Sequence, residues 1–254
     1  MRILLTNDDG VLAPGLLALH KALRGLGDLH VVAPHAVQSG GSHSITIRHP
    51  LLCSRVSLYG DFQAVSVEGT PADCVKVAVN ALLPGRPDLV LSGINAGQNT
   101  GIHVLYSGTV AAAVEAAVMG LPAMAISLQF HRDMDFDAAA RLARGVVEQL
   151  LAHGLPPGRI YNINLPEPGP GRPRGVRVAP QSTRALVERL DRRADPTGRE
   201  YYWLNGDFAS LEDDAPTDRV ALREGYVCVT PLQFNLTDAA LLREMQSWEW
   251  RLPS

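Results

Sequence analysis

Along the 254-residue chain, apolar positions fall into two alternating patterns. Short continuous runs, the first at Ile3-Leu4-Leu5, read as strands buried on both faces, and between them apolar residues recur at helical spacing. The first helix is expected from Pro14 to Gly27. Pro14 suits the first turn, Leu16, Leu19, Leu23 and Leu26 share one face, and Gly27 can supply a left-handed stop. Strands follow at Leu29 to Ala33 and Asp88 to Ser92. Between them Thr70-Pro71-Ala72-Asp73 opens a helix with a cap, a proline and a first-turn acid, and that helix runs on through Val75, Val79 and Leu82. A helix over Gly108 to Met119, a strand over Ala123 to Leu128 and an amphipathic helix from about Asp137 to His153 complete the series. Strands alternating with helices predict an α/β fold, a Rossmann-like and mostly parallel sheet flanked by helices.

The pattern changes after Asn162. Proline and glycine crowd Pro166 to Pro173, and a charged stretch from Arg184 to Arg199 precedes the strand-like aromatic run Tyr201-Tyr202-Trp203. The chain closes with a strand at Tyr226 to Thr230 and a capped helix beginning at Thr237-Asp238, on which Leu241, Leu242, Met245, Trp248 and Trp250 form a large apolar surface. Residues 1–180 therefore read as the core. Residues 181–254 read as a C-terminal extension, a β-hairpin and a helical arm packed on the core rather than a separate domain. Such an arm either folds back or crosses to another subunit.

Composition narrows the partners. A net charge of -3 without long basic runs gives no reason to expect polymeric nucleic acid. No stretch approaches the roughly 20 apolar residues of a membrane span, and Met1-Arg2 leads into a strand without a signal peptide's apolar core. The expectation is a cytoplasmic protein with no membrane partner. Cys53, Cys74 and Cys228 are widely spaced and contain no Cys-x-x-Cys pair, so neither a disulfide framework nor a zinc site is expected.

Candidate chemistry gathers just after the predicted strands. The first strand passes through Thr6 and Asn7 into Asp8-Asp9-Gly10. Two adjacent carboxylates there can approach one cation only if the chain turns sharply, which Gly10 permits. An Asp-Asp-Gly surface turn is the plainer reading of these residues alone. A second loop, Gln38-Ser39-Gly40-Gly41-Ser42-His43-Ser44, can bring backbone amides and hydroxyls to an anion or a metal-bound ligand, or can be simply a polar loop. In Ser92-Gly93-Ile94-Asn95-Ala96-Gly97-Gln98-Asn99, Asn95 offers a carbonyl oxygen suited to a hard cation. Tyr106-Ser107-Gly108-Thr109-Val110 stands at a helix start, where free amides, the helix dipole and two hydroxyls make a phosphate cradle, although Ser107 can equally be only a cap.

Taken in order, Asn-Asp-Asp-Gly, Ser-Gly-Gly-Ser-His-Ser-Ile-Thr, Glu68-Gly69-Thr70-Pro71-Ala72-Asp73-Cys74-Val75, Ser-Gly-Ile-Asn-x-Gly-x-Asn and Tyr-Ser-Gly-Thr-Val closely resemble the SurE family of survival-protein nucleotidases. The resemblance is dense over about the first half of the chain. It implies a Rossmann-like phosphomonoesterase that releases phosphate from nucleoside monophosphates, a 5′-nucleotidase, and leaves open whether 3′-nucleotides and polyphosphate are substrates too. It implies one divalent ion per subunit, magnesium or manganese, on Asp8, Asp9, Ser39 and Asn95. Asp8, Asp9 and Asn95 are then the catalytic group, and Asn7, Gly40, Ser107, Gly108 and Thr109 hold the phosphate. Subunits would pair as a homodimer or homotetramer through the C-terminal arm.

Charge suggests the mechanism: an all-oxygen site would activate water for direct attack and offset charge on the phosphoryl oxygens. Phosphatases with an aspartate nucleophile generally need two aspartates separated by one residue, and these are adjacent. Where many members of the family carry an acid shortly before Tyr-Ser-Gly-Thr-Val, this chain has Gly101-Ile102-His103-Val104. Neither His103 nor His43, which follows Ser39, is assigned a role. A non-catalytic nucleotide-binding Rossmann module is the alternative, but the first turn lacks the glycine fingerprint that admits a pyrophosphate. Only Lys21 and Lys76 occur, and neither ends a phosphate loop, which excludes a Walker-type NTPase. A purely structural oligomer leaves the loop motifs unexplained.

Overall fold

In the computed structural model the described residues are 1–58, 62–169, 171, 173–184, 188–206 and 215–252. Parts of two stretches singled out above, at 170, 172 and 185–187, lie outside them. The main sheet has nine strands in the order β3-β4-β2-β1-β5-β6-β7-β11-β8. These are β1 (Arg2–Thr6), β2 (Asp28–Pro34), β3 (Cys53–Leu58), β4 (Phe62–Val67), β5 (Leu89–Ala96), β6 (Ala123–Leu128), β7 (Ile160–Leu165), β8 (Val176–Val178) and β11 (Val227–Leu232). The run from β4 through β7 is parallel, while β3 pairs antiparallel with β4 and β11 antiparallel with β7. A separate antiparallel hairpin joins β9 (Glu188–Ala194) to β10 (Glu200–Gly206), so the charged stretch and the aromatic run are the two halves of one hairpin.

Successive residues of a strand point to opposite faces, and both faces of this sheet are covered. Ile3 and Leu5 of β1 join Leu91, Met124 and Ile126 beneath α1 (Pro14–Leu23) and α4 (Phe136–Ala152). Leu4 joins Val90, Ala123 and Ala125 on the other face, beneath α2 (Pro71–Val77) and α3 (Gly108–Val118). Fully buried Ile3, Leu4 and Leu5 are thus one strand serving two cores. Small residues at Ala112, Ala113, Ala116 and Ala117 let α3 lie close on the sheet. At α2 a reciprocal capping box is present: Thr70 accepts from the Asp73 amide and the Asp73 carboxylate accepts from the Thr70 amide.

Three sequence expectations are corrected. The first helix ends at Leu23, not Gly27; Gly25, at φ 83°, makes the left-handed turn, and Gly27 is instead pressed against Met1, whose carbonyl oxygen would lie 2.4 Å from an added Cβ. The strand that starts near Asp88 runs on to Ala96, so the glycine-rich segment is strand as far as Asn95 and beyond. The last helix, α6 (Ala239–Gln246), stops before Trp248 and Trp250, whose ring centroids lie 5.4 Å apart with the planes tilted by 38°. The strands β3, β4 and β7 and the short helix α5 (Asp218–Arg223) had no clear pattern signal. Beyond residue 180 the chain returns to the main sheet as β11 and also supplies the hairpin and α6. Among the described residues no helix is long and apolar enough to cross a membrane.

Candidate active site

Strand β1 has β2 on one side and β5 on the other, so its carboxyl end is where the strand order reverses, the usual ligand crevice of an open parallel sheet. The chain leaves it through a turn closed by Asn7, whose Nδ2 donates to the Gly10 carbonyl at 2.9 Å. That turn presents Asp8 and Asp9 to different neighbours. The hydroxyl of Thr109, at the start of α3, donates to Oδ1 of the buried Asp8. The amide of Ala96, at the end of β5, donates to Asp9 Oδ2 at 3.1 Å. Residues distant in sequence, from β1, β5 and α3, therefore meet at one point.

Each remaining candidate can be placed on that frame. Asn95 is half-buried, and its Nδ2 donates to the Gly97 carbonyl at 2.8 Å, which fixes the amide group with Oδ1 as the oxygen left to accept. Ser107 caps α3: its Oγ accepts from the Val110 amide at 3.1 Å. Gly108 and Thr109 occupy the first turn of α3, where backbone amides have no acceptor within the helix. Ser39 and Gly40 are exposed on the loop after β2, and the loop is tied down around them. The Gln38 amide donates to the Asp8 carbonyl at 2.8 Å, and Ser42 donates through its amide to Tyr106 at 3.1 Å and through Oγ to Leu105 at 2.7 Å. The same loop is held further on by Thr46, whose amide donates to the Asp73 carboxylate at 3.0 Å, and by Thr70, whose hydroxyl donates to Ser44.

The electrostatics favour a cation. Burial pushes the Asp8 carboxyl above its ordinary range, the Thr109 hydrogen bond pulls against it, and the neighbouring Asp9 charge adds to the rise. Burial also raises Asp9, with the Ala96 amide opposing it. Among the described residues neither carboxylate forms an ion pair, and no group of three or more His, Cys, Asp or Glu side chains gathers that could hold a metal ion. A cation here would therefore rest on two carboxylates and on neutral oxygens, a donor set suited to magnesium or manganese. The buried Oδ1 of Asn7, without a hydrogen-bond partner, is a further unmet polar group beside it. Asp8, Asp9 and Asn95 fit such an ion.

His43 pairs with Glu115, its Nε2 2.9 Å from a carboxylate that also receives Lys76 at 2.6 Å. Glu115 is itself buried on α3, so the trio links the Ser39 loop to two helices. His103 lies half-buried in the 3-10 turn at Gly101–Leu105, where burial and the nearby Arg219 hold its imidazole below the ordinary value. Pattern reasoning missed the side chains that hold these loops. Asn162 and Asn164 of β7 donate to the Asn99 carbonyl, and the Asn99 amide donates to Asn164 Oδ1 at 2.8 Å. Two asparagines in an otherwise apolar buried strand were the available signal, since such groups are buried only with partners.

Fold and site together define a doubly wound α/β protein with an acidic, oxygen-lined site at its switch point. The sequence matches the family described as Survival protein SurE over residues 3–188. The chain is 48% identical over 252 residues to the 5′-nucleotidase SurE of Rhodopirellula baltica, covering 99% of this chain and 100% of that one. It is 45% identical over 248 residues to the protein of the same name from Syntrophobacter fumaroxidans, covering 98% and 99% of the two chains. The crystal structure of the SurE protein from Aquifex aeolicus superposes with a TM-score of 0.84 at 37% identity, covering 97% of this chain and 98% of that one. The chain belongs to the SurE family.

Proposed function

We propose that this protein is a divalent-metal-dependent 5′-nucleotidase that hydrolyses nucleoside monophosphates to nucleoside and phosphate. Relatives that bear the name 5′-nucleotidase share 38–48% of its residues over nearly its whole length. The observation that carries the reading is the meeting of Asp8 with the first turn of α3. Carboxylates that would hold a cation thereby stand beside amides that would hold an anion, which is what a phosphate ester requires on its two sides.

Asp8, Asp9, Ser39 and Asn95 would hold one magnesium or manganese ion per subunit. When bound, that ion supplies positive charge to the phosphoryl oxygens and lowers the pKa of water. The chain's own residues do the rest. The Gly108 and Thr109 amides, the Ser107 cap and the Gly40 backbone orient the phosphate, and Asn7 holds the turn that aims Asp8 and Asp9. The Thr109 hydroxyl donates to Asp8 Oδ1 and offsets part of the rise that burial imposes on that carboxyl. Water would attack phosphorus directly as the bond to the nucleoside oxygen breaks and that oxygen leaves as the hydroxyl, because phosphatases with an aspartate nucleophile generally need two aspartates separated by one residue and Asp8 and Asp9 are adjacent.

Residues 1–180 serve as the catalytic core and 181–254 as the extension through which subunits pair, as dimers or tetramers. Support for the second role is that α6 buries none of its residues, while Leu236 and Trp250 are 88% and 68% exposed. Phosphate release from AMP or GMP tests the function. Turnover that requires manganese or magnesium is expected; equal release with EDTA, or none with any divalent ion, contradicts it.

A further inference from the structure

Between the proposed cation ligand Asn95 and the phosphate cradle at Ser107 to Thr109 lies a connecting segment, and both of its ends are held from outside. At its start, Asn99 is fixed by Asn162 and Asn164 of β7 and by Ser127 of β6, whose Oγ accepts from Asn99 Nδ2 at 2.8 Å. At its other end stands Gly101, the first residue of the 3-10 turn that delivers Tyr106 and Ser107. Its backbone is held on both sides. The amide donates to Asp218 Oδ2 at 2.8 Å, and the carbonyl accepts from Gln181 Nε2 at 2.8 Å. Gly101 sits at φ 57°, and an added Cβ would meet Arg219 Cδ at 3.0 Å and the Ser182 carbonyl at 3.4 Å, so the C-terminal segment is packed directly on this backbone.

Asp218 is completely buried and is itself fastened to the same segment. Its amide donates to the Pro180 carbonyl at 2.9 Å, while its Oδ1 accepts from the Ser182 amide at 3.0 Å. One carboxylate thus spans the extension and the active-site connection, using one oxygen for each. Buried carboxylates are retained only when hydrogen-bonded in this way, and removing an acceptor leaves a buried donor unmet.

We infer that Asp218 and Gln181 are positioning residues for the phosphate cradle. They set where α3 begins relative to Asn95 by gripping Gly101, so the cradle is complete only when residues 180–182 and 217–219 are folded against it. The inference rests on the site reading above, and it makes the start of the extension part of the catalytic apparatus without placing either side chain in contact with substrate. A displacement of the cradle of about 1 Å is enough to cost about 100-fold in turnover.

The test uses Asp218→Asn and Gln181→Met in the full chain. Three quantities are measured: kcat for AMP at saturating manganese, binding of inorganic phosphate to the manganese-loaded protein by calorimetry, and manganese binding alone. Both variants are expected to lose about 10- to 100-fold in kcat and to bind phosphate correspondingly more weakly, while manganese, which keeps Asp8 and Asp9, binds as in the unaltered protein. A lowered melting temperature with unchanged kcat and unchanged phosphate binding overturns the inference. Should Asp218→Asn not fold, Gln181→Met decides alone, since it removes only the donor to the Gly101 carbonyl. An unaltered protein without metal-dependent turnover would instead refute the proposed function, and phosphate binding would still report on the clamp.

Discussion

Gly108 lies so close to Asp8 that a Cβ at position 108 would stand 2.8 Å from the aspartate's own Cβ and 3.2 Å from Pro71 Cγ. Neither neighbour is the loose end of a flexible side chain. The first turn of α3 and the end of β1 are therefore fitted to each other with no space for a methyl group. Gly108→Ala is expected to move the helix start away from Asp8, to cost about 1–3 kcal/mol of stability through overpacking, and to lower kcat/KM by about 100-fold. Steady-state kinetics with a parallel urea titration check both effects.

Stability and activity should part company at Asp8. Its carboxyl is raised by burial and by Asp9, so without a cation the ionised form is a cost to the folded state at neutral pH. Asp8→Asn removes that charge. The metal-free variant is expected to be as stable as the unaltered protein or about 1 kcal/mol more so, while turnover is lost. Thermal melts in EDTA, compared with phosphate release in manganese, give the two numbers.

Two sets of carboxylates act in opposite directions as pH changes. Asp8 and Asp9 have folded pKa values above the ordinary 3.8, so their cost is absent at acid pH and grows as pH rises from that value through the raised range. At Asp73 burial pushes the carboxyl up, but the hydrogen bonds from Thr46 and Thr70 outweigh it and leave the group below 3.8. Its contribution is complete above 3.8 and disappears as pH falls below that value. Asp73→Asn is expected to cost about 1–3 kcal/mol at pH 7 and little at pH 2 to 3. Chemical denaturation of both proteins in EDTA at the two pH values measures the difference.

The trio Glu115, Lys76 and His43 makes a separate prediction for the Ser39 loop. Glu115→Gln keeps the shape but removes the charge that holds Lys76 and His43 at 2.6 and 2.9 Å. The loop should then exchange its amide hydrogens faster over residues 38–46 and bind manganese several-fold more weakly, with Asp8 and Asp9 still in place. Hydrogen exchange and manganese titration of the variant read these two effects.

What was legible in the sequence follows from the range of each signal. Local patterns were enough for β1, β6, α3 and α4, because a buried parallel strand is a continuous apolar run and an amphipathic helix repeats within a few turns. The same local reading put Asp8, Asp9, Asn95 and Ser107 at strand and helix ends, where chemistry gathers in this class of sheet. It gave no warning of β3, whose residues are largely exposed at the sheet edge and alternate weakly, nor of β7, whose apolar run is broken by Asn162 and Asn164. Those asparagines, like Asp218 and Glu115, act on partners far away in the chain, 63 residues for Asn162 and Asn99 and 117 for Asp218 and Gly101, and no period in the chain encodes such a contact. The first-helix stop was misplaced because Gly25 and Gly27 are both suitable, and only the approach of Met1 shows which one the fold uses for the turn.

One divalent ion joining the end of β1 to Asn95 is what the proposed chemistry depends on. Anomalous diffraction from a manganese-soaked crystal can locate it. One peak per subunit is expected, within coordination distance of oxygens of Asp8, Asp9 and Asn95 and lost in Asp8→Asn. A protein that releases phosphate from AMP in manganese yet shows no peak there, or binds the ion elsewhere, would contradict it.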